Sequence, residues 1–210
     1  IPLICASIMS KKLAEGIDVL VLDVKFGRGA FLREKARARG LAAAMVAIGA
    51  AMGKPVRAVL TAMEQPLGRT VGNALEVVES IDCLRGHGPA DTMEVTFALG
   101  GQMLLLAKAA PTAAEARGML ERSITSGAAL AKFRDMISAQ SGDPRVTDDA
   151  SRFPSAKWRE PVNAARSGYV SDVDAMGVAL AALRLGAGRA RAEDSVDHAV
   201  GIGELKKVGE

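Results

Sequence analysis

17-IDVLVLDVK-25 is a run of Val, Ile and Leu bounded by glycines and too apolar to keep a solvated face, so it reads as a buried parallel strand. The glycine turn 26-FGRGAF-31 follows, then an Ala-rich segment from Glu34 to Met52 with Leu41, Met45 and Ile48 at helical spacing. Gly53 ends that helix and 55-PVRAVLT-61 is the next strand. Strand, helix and strand in this order make a right-handed crossover unit, which requires a parallel sheet covered by helices. The fold class is therefore α/β.

Upstream, residues 2–15 (PLICASIMSKKLAE) place Leu3, Ser7 and Lys11 at four-residue intervals on one helix face, with Gly16 as the stop. Downstream, 65-QPLGRTVG-72 is a loop with Pro and two glycines, after which Asn73 can cap a helix running to about Leu84. Three further helices are predicted near 91–108, 112–124 and 127–140, the second opening with Thr112 and Glu115 in capping-box spacing. Residues 141–161, rich in Ser, Asp and Pro and without a period, read as a linker. A strand around 168-GYVSDV-173, a helix from Asp174 to Arg184 and a Gly186-Ala187-Gly188 turn then open a further domain.

At 210 residues and 49% hydrophobic, the chain can bury one sizeable core with a small appended domain. Its 27 Lys and Arg are interspersed with 24 Asp and Glu, and the one basic cluster, Arg184, Arg189 and Arg191, sits beside Glu193 and Asp194. A duplex-binding face carries a more one-sided patch, so nucleic acid is not an expected partner. No apolar segment reaches the 18 or so residues of a membrane span. Cys5 and Cys83 lack metal or redox spacing and read as small buried hydrophobes, which fits a reducing, cytoplasmic setting. The sequence opens on Ile1-Pro2 inside an apolar pattern, the start expected of a partial sequence.

Three strings in order, IPLICASIMSKKLAEGIDVLVLDVKFGRGAF, VLTAMEQPLGRTVGNALEV and SGAALAKFRDMISAQSGDPRV, resemble thymidine phosphorylases and the related pyrimidine nucleoside phosphorylases. GYVSDVDAMGVALAALRLGAGR matches the C-terminal domain of the same family, so the resemblance covers nearly the whole chain. It implies part of a small helical domain over 1–15, a central α/β domain over 16–150, and a linker and the start of an α+β C-terminal domain over 151–210. It also implies a homodimer and the reaction of thymidine with phosphate to give thymine and 2-deoxy-D-ribose 1-phosphate.

In that family a helix written S-I-x-S/A-K-K lines the pyrimidine pocket, here Ser7-Ile8-Met9-Ser10-Lys11-Lys12. The resemblance makes Ser7 and Lys11 the base-binding residues, Lys11 catalytic as well, and Ile4 an apolar wall. A hydroxyl and an ammonium four residues apart can reach neighbouring polar edges of one planar ring. Negative charge builds on the pyrimidine as the glycosidic bond breaks, so a fixed cation there favours the transition state over the ground state.

The resemblance further implies a structural monovalent cation, potassium, held by backbone oxygens at Leu67 and Thr70 and by the Glu79 carboxylate, with no organic cofactor. Thr70 stands where relatives often have a smaller residue, a change that a carbonyl ligand tolerates. Phosphate is the co-substrate, and the Lys, Ser and Thr residues that hold it in the family lie upstream of the strings seen here. A piece with half of the cleft should bind a base weakly and not turn over. The turn Lys25-Phe26-Gly27-Arg28-Gly29 is only G-x-G and reads as a close backbone turn. His87 and His198 have no metal-ligand spacing. Two alternatives stand beside this reading: a related-fold enzyme such as anthranilate phosphoribosyltransferase or an AMP phosphorylase, and a non-catalytic fragment that assembles through helical surfaces.

Overall fold

The computed structural model describes residues 2–210 and divides into two compact units, Ile1–Glu64 with Met93–Arg122, and Gln65–Thr92 with Ser123–Glu210. In the first unit, helix α1 (Pro2–Ala14) precedes strand β1 (Leu20–Phe26), helix α2 (Lys35–Ala51) and strand β2 (Val56–Ala62). β1 and β2 pair in parallel from Leu20 opposite Val56 to Phe26 opposite Ala62, which is the crossover unit expected from the sequence. The α/β class holds.

The core of this unit joins Cys5 and Met9 of α1 to Val24 of β1, Leu32, and Ala38, Leu41, Ala42 and Met45 of α2. Small residues let α2 lie close to the sheet. A Cβ on Gly49 would stand 2.1 Å from Val56 Cγ2, so helix and strand meet at backbone distance there.

Strand periodicity sends Leu20, Leu22, Val24 and Phe26 toward that core and Asp23 and Lys25 to the opposite face. The expectation of a strand without a polar face is corrected here. Lys25 Nζ lies 2.6 Å from Asp23 Oδ2 and 2.9 Å from Thr61 Oγ1, and Thr61 donates in turn to the other Asp23 oxygen. A parallel neighbour brings Thr61 level with Lys25, so two charges that look isolated in the sequence satisfy each other across the ladder. Residues Met93–Arg122, from helices α4 (Ala90–Leu106) and α5 (Ala113–Thr125), supply the rest of the unit, with Gly100 facing Leu120 and the Arg117 guanidinium 4.3 Å from the Phe97 ring centroid. The Thr112 hydroxyl accepts from Glu115 N at 3.2 Å and caps α5 as the spacing implied.

The second unit holds helices α3 (Asn73–Leu84), α6 (Ala128–Ala139) and α7 (Ala175–Ala182). Asn73 is not the cap of α3. It is the first helical residue, and its Nδ2 donates to Ala187 O at 3.1 Å. Gly72 takes the cap position at φ +144°, and Glu76 reaches back to its N–H at 2.9 Å. Within 141–161 the chain forms two short 3-10 turns, Pro144–Thr147 and Ala150–Arg152, opened by the carboxylates of Asp143 and Asp149.

The strand expected at 168–173 is absent. Val170 donates to Glu210 O and accepts from Gly209 N, but no strand forms along the segment and Tyr169 stays 86% exposed. A π-type turn, Leu183–Ala187, with Gly186 at φ +103°, closes α7.

Candidate functional site

Helix α1 ends at Ala14, Gly16 just beyond it takes the left-handed conformation at φ +73°, and Lys11 and Lys12 occupy the last turn, where they suit the helix dipole. Cys5 and Met9 face the core, and Ile4 is half-buried against it. Ser7 and Lys11 lie on the exposed side together with Leu3, which is 83% exposed. Lys12 is paired with Glu15 at 3.2 Å, whereas among the described residues the Lys11 ammonium has no carboxylate partner. One helix face thus presents a free cation one turn beyond a free hydroxyl, each available to a ligand without first breaking an internal contact.

The loop from Gln65 to Val71 is the second sequence-derived candidate. One oxygen of the Glu79 carboxylate accepts the Arg69 N–H at 2.7 Å. The other lies against Gly68, where a Cβ would approach Glu79 Oε2 to 2.0 Å and the backbone holds φ at +74°. The glycine is required on both counts: the left-handed φ and the carboxylate beneath it.

The Thr70 hydroxyl is buried without a hydrogen-bond partner, and among the described residues no hydrogen bond reaches the Leu67 or Thr70 carbonyl. The Glu79 carboxylate thus packs against Gly68 and Arg69, the two residues that lie between Leu67 and Thr70 in the loop. Among the described residues no three His, Cys, Asp or Glu converge as a transition metal would need.

Sequence reasoning missed what clasps this loop. Asp91 accepts the Gly68 N–H at 3.2 Å and pairs with Lys207 at 2.8 Å, and Lys207 Nζ also donates to Pro66 O. Arg69 pairs with Glu210 through two hydrogen bonds and donates to Leu205 O at 3.0 Å. Val71 and Ile202 exchange backbone bonds at 2.8 Å, and Ala74 N donates to His198 O. Burial pushes the Asp91 carboxyl up, but hydrogen bonding and charge from Lys207 outweigh this and hold it below the usual carboxylate range. Glu210 is held at about 2 by the Arg69 hydrogen bonds. The partners supplied by 198–210 lie more than a hundred residues from the groups they bind, and no local period could announce them.

The glycine turn after β1 is a close backbone turn. Gly27 N donates to Arg33 O and Gly29 N to Met63 O, so those two amides have none to spare for an anion. Arg28 is paired with Glu64 at 3.1 Å. His87 and His198 are exposed, Cys5 is buried, and burial pushes the half-buried Cys83 thiol up. A groove of about 710 Å³ between α3 and α7 is mainly apolar, with Asn73, Glu76 and Ser80 at its polar side.

The model of the glycosyl transferase family, a/b domain, matches residues 2–130, and that of the pyrimidine nucleoside phosphorylase C-terminal domain matches residues 169–210. The chain is 50% identical over all 210 residues to a pyrimidine-nucleoside phosphorylase of Bacillus subtilis (strain 168). It is 49% identical to proteins of the same name from Geobacillus stearothermophilus and Staphylococcus aureus (strain USA300). Each alignment takes in 100% of this chain and 48% of the relative, so the chain spans about half the length of the curated relatives it matches.

Proposed function

Since the chain belongs to the glycosyl transferase family whose a/b domain it carries, with a pyrimidine nucleoside phosphorylase C-terminal domain after it, we propose that the complete protein splits pyrimidine nucleosides with phosphate. The substrate is thymidine, and the products are thymine and 2-deoxy-D-ribose 1-phosphate. A phosphate oxygen forms a bond to the anomeric carbon as the bond from that carbon to the pyrimidine nitrogen breaks, and the electron pair leaves with the base. The observation that carries the reading is the free Lys11 ammonium one turn from Ser7 on the exposed face of α1. Ser7 and Lys11 hold the polar edge of the ring, Ile4 borders it, and Lys11 stabilises the charge that develops on the leaving base.

A monovalent cation, potassium, is held at Leu67, Thr70 and Glu79 and fixes the loop by charge; it takes no part in bond making or breaking. The fit rests on the buried, unpartnered Thr70 hydroxyl and on the Glu79 carboxylate packed under Gly68. The enzyme is a cytoplasmic homodimer and uses no organic cofactor.

The test is phosphate-dependent release of free base from thymidine and uridine by the complete natural chain. Release of thymine from thymidine that requires phosphate is the expected outcome. No phosphate-dependent release from any pyrimidine nucleoside would refute the reading.

A further inference from the structure

Five charged side chains surround the loop 65–70, and their balance is uneven. Glu79 bonds to the Arg69 N–H, and Asp91 bonds to the Gly68 N–H, so two carboxylates flank consecutive residues of the loop. Lys207 places its ammonium 2.8 Å from Asp91 and on the Pro66 carbonyl, with only 13% of its side chain exposed. The Arg69 guanidinium is matched by Glu210. Once these pairs are formed, Glu79 is the one carboxylate of the set with no cationic side chain paired to it, and it is the carboxylate that packs under Gly68, in the loop whose Leu67 and Thr70 carbonyls accept no hydrogen bond among the described residues.

We infer that Lys207 sets the valence of the cation this loop accepts: by holding Asp91 it leaves a demand for one positive charge, so that a monovalent ion fits and a divalent ion does not. This rests on the cation reading proposed above. The ammonium is a built-in substitute for a second unit of metal charge. It is fixed from the far end of the sequence, through the same segment that pins Arg69 and Val71. Without it, Glu79 and Asp91 would face one loop with two uncompensated charges, an arrangement that hard divalent cations bind well.

The test is the thermal midpoint of the complete natural chain in KCl or CaCl2, with choline chloride holding ionic strength constant. The unaltered protein should be stabilised by KCl and not by CaCl2. Lys207→Met should gain a response to CaCl2 and lower the KCl concentration for half-maximal stabilisation, since two uncompensated carboxylates then face the loop. Lys207→Arg should keep the KCl response. Asp91→Asn should lose the KCl response and gain none to CaCl2, and Asp91→Asn with Lys207→Met should recover the response to KCl alone, which separates a charge effect from damage to the fold.

An unchanged KCl midpoint and no gain for CaCl2 in Lys207→Met, or a double variant that fails to recover, would overturn the inference and leave the cation site standing. No specific effect of KCl on the unaltered protein would remove the site and the inference together.

Discussion

Lys11→Ala should lower kcat/KM for thymidine phosphorolysis by about a hundredfold or more, the loss expected when a fixed transition-state charge is removed. Lys11 is exposed and has no ion pair among the described residues, so its truncation should leave the thermal midpoint of the protein unchanged. Ser7→Ala should cost less, about tenfold, since a neutral hydrogen bond contributes on the order of 1 kcal/mol. Initial rates across a range of thymidine concentrations check both variants. A kcat/KM within about threefold of the unaltered enzyme for Lys11→Ala would remove α1 from the chemistry.

Gly68→Ala should destabilise the second unit by about 3 kcal/mol. The left-handed backbone costs a residue with a Cβ about 1–2 kcal/mol. The new Cβ would also stand 2.0 Å from Glu79 Oε2, so the carboxylate must leave, and its hydrogen bond with the Arg69 N–H goes with it. Gly53→Ala separates the two effects. Its φ of +67° is similar but no atom lies within 4 Å of the added Cβ, so only the backbone cost of about 1 kcal/mol should appear. Urea unfolding of the two variants gives the difference directly, and equal losses would show that Glu79 does not press on Gly68.

The first unit was legible because its signals are local. The apolar run at 17–25, the Ala-rich segment and the second run at 55–61 each carry their own period, and the crossover rule joins them into the parallel pair observed. The four-residue spacing of Ser7 and Lys11 likewise sufficed to place both on one face of α1.

Misreadings arose where a partner decides the outcome. 168-GYVSDV-173 has strand-forming residues but forms no strand, and residue type cannot supply the missing ladder. The run 17–25 reads as buried throughout, yet Asp23 and Lys25 form a polar face that is satisfied by Thr61, which the register of the neighbouring strand brings level with Lys25. Asn73 is a good cap residue, yet the left-handed Gly72 and the returning Glu76 carboxylate make the helix start without it. Around the loop 65–70 the sequence named Leu67, Thr70 and Glu79 through a resemblance, whereas Asp91 and Lys207 are joined to it only by the return of the distant 198–210 segment.

The most direct measurement is the dependence of single-turnover rate on the acidity of the departing base, using 2′-deoxyuridines with different 5-substituents and comparing the unaltered complete chain with Lys11→Ala. With Lys11 present, its ammonium offsets the charge developing on the base, so the rate should depend weakly on base acidity; in Lys11→Ala the dependence should be markedly steeper. Parallel dependences in the two proteins would contradict a role for Lys11 in stabilising the leaving pyrimidine.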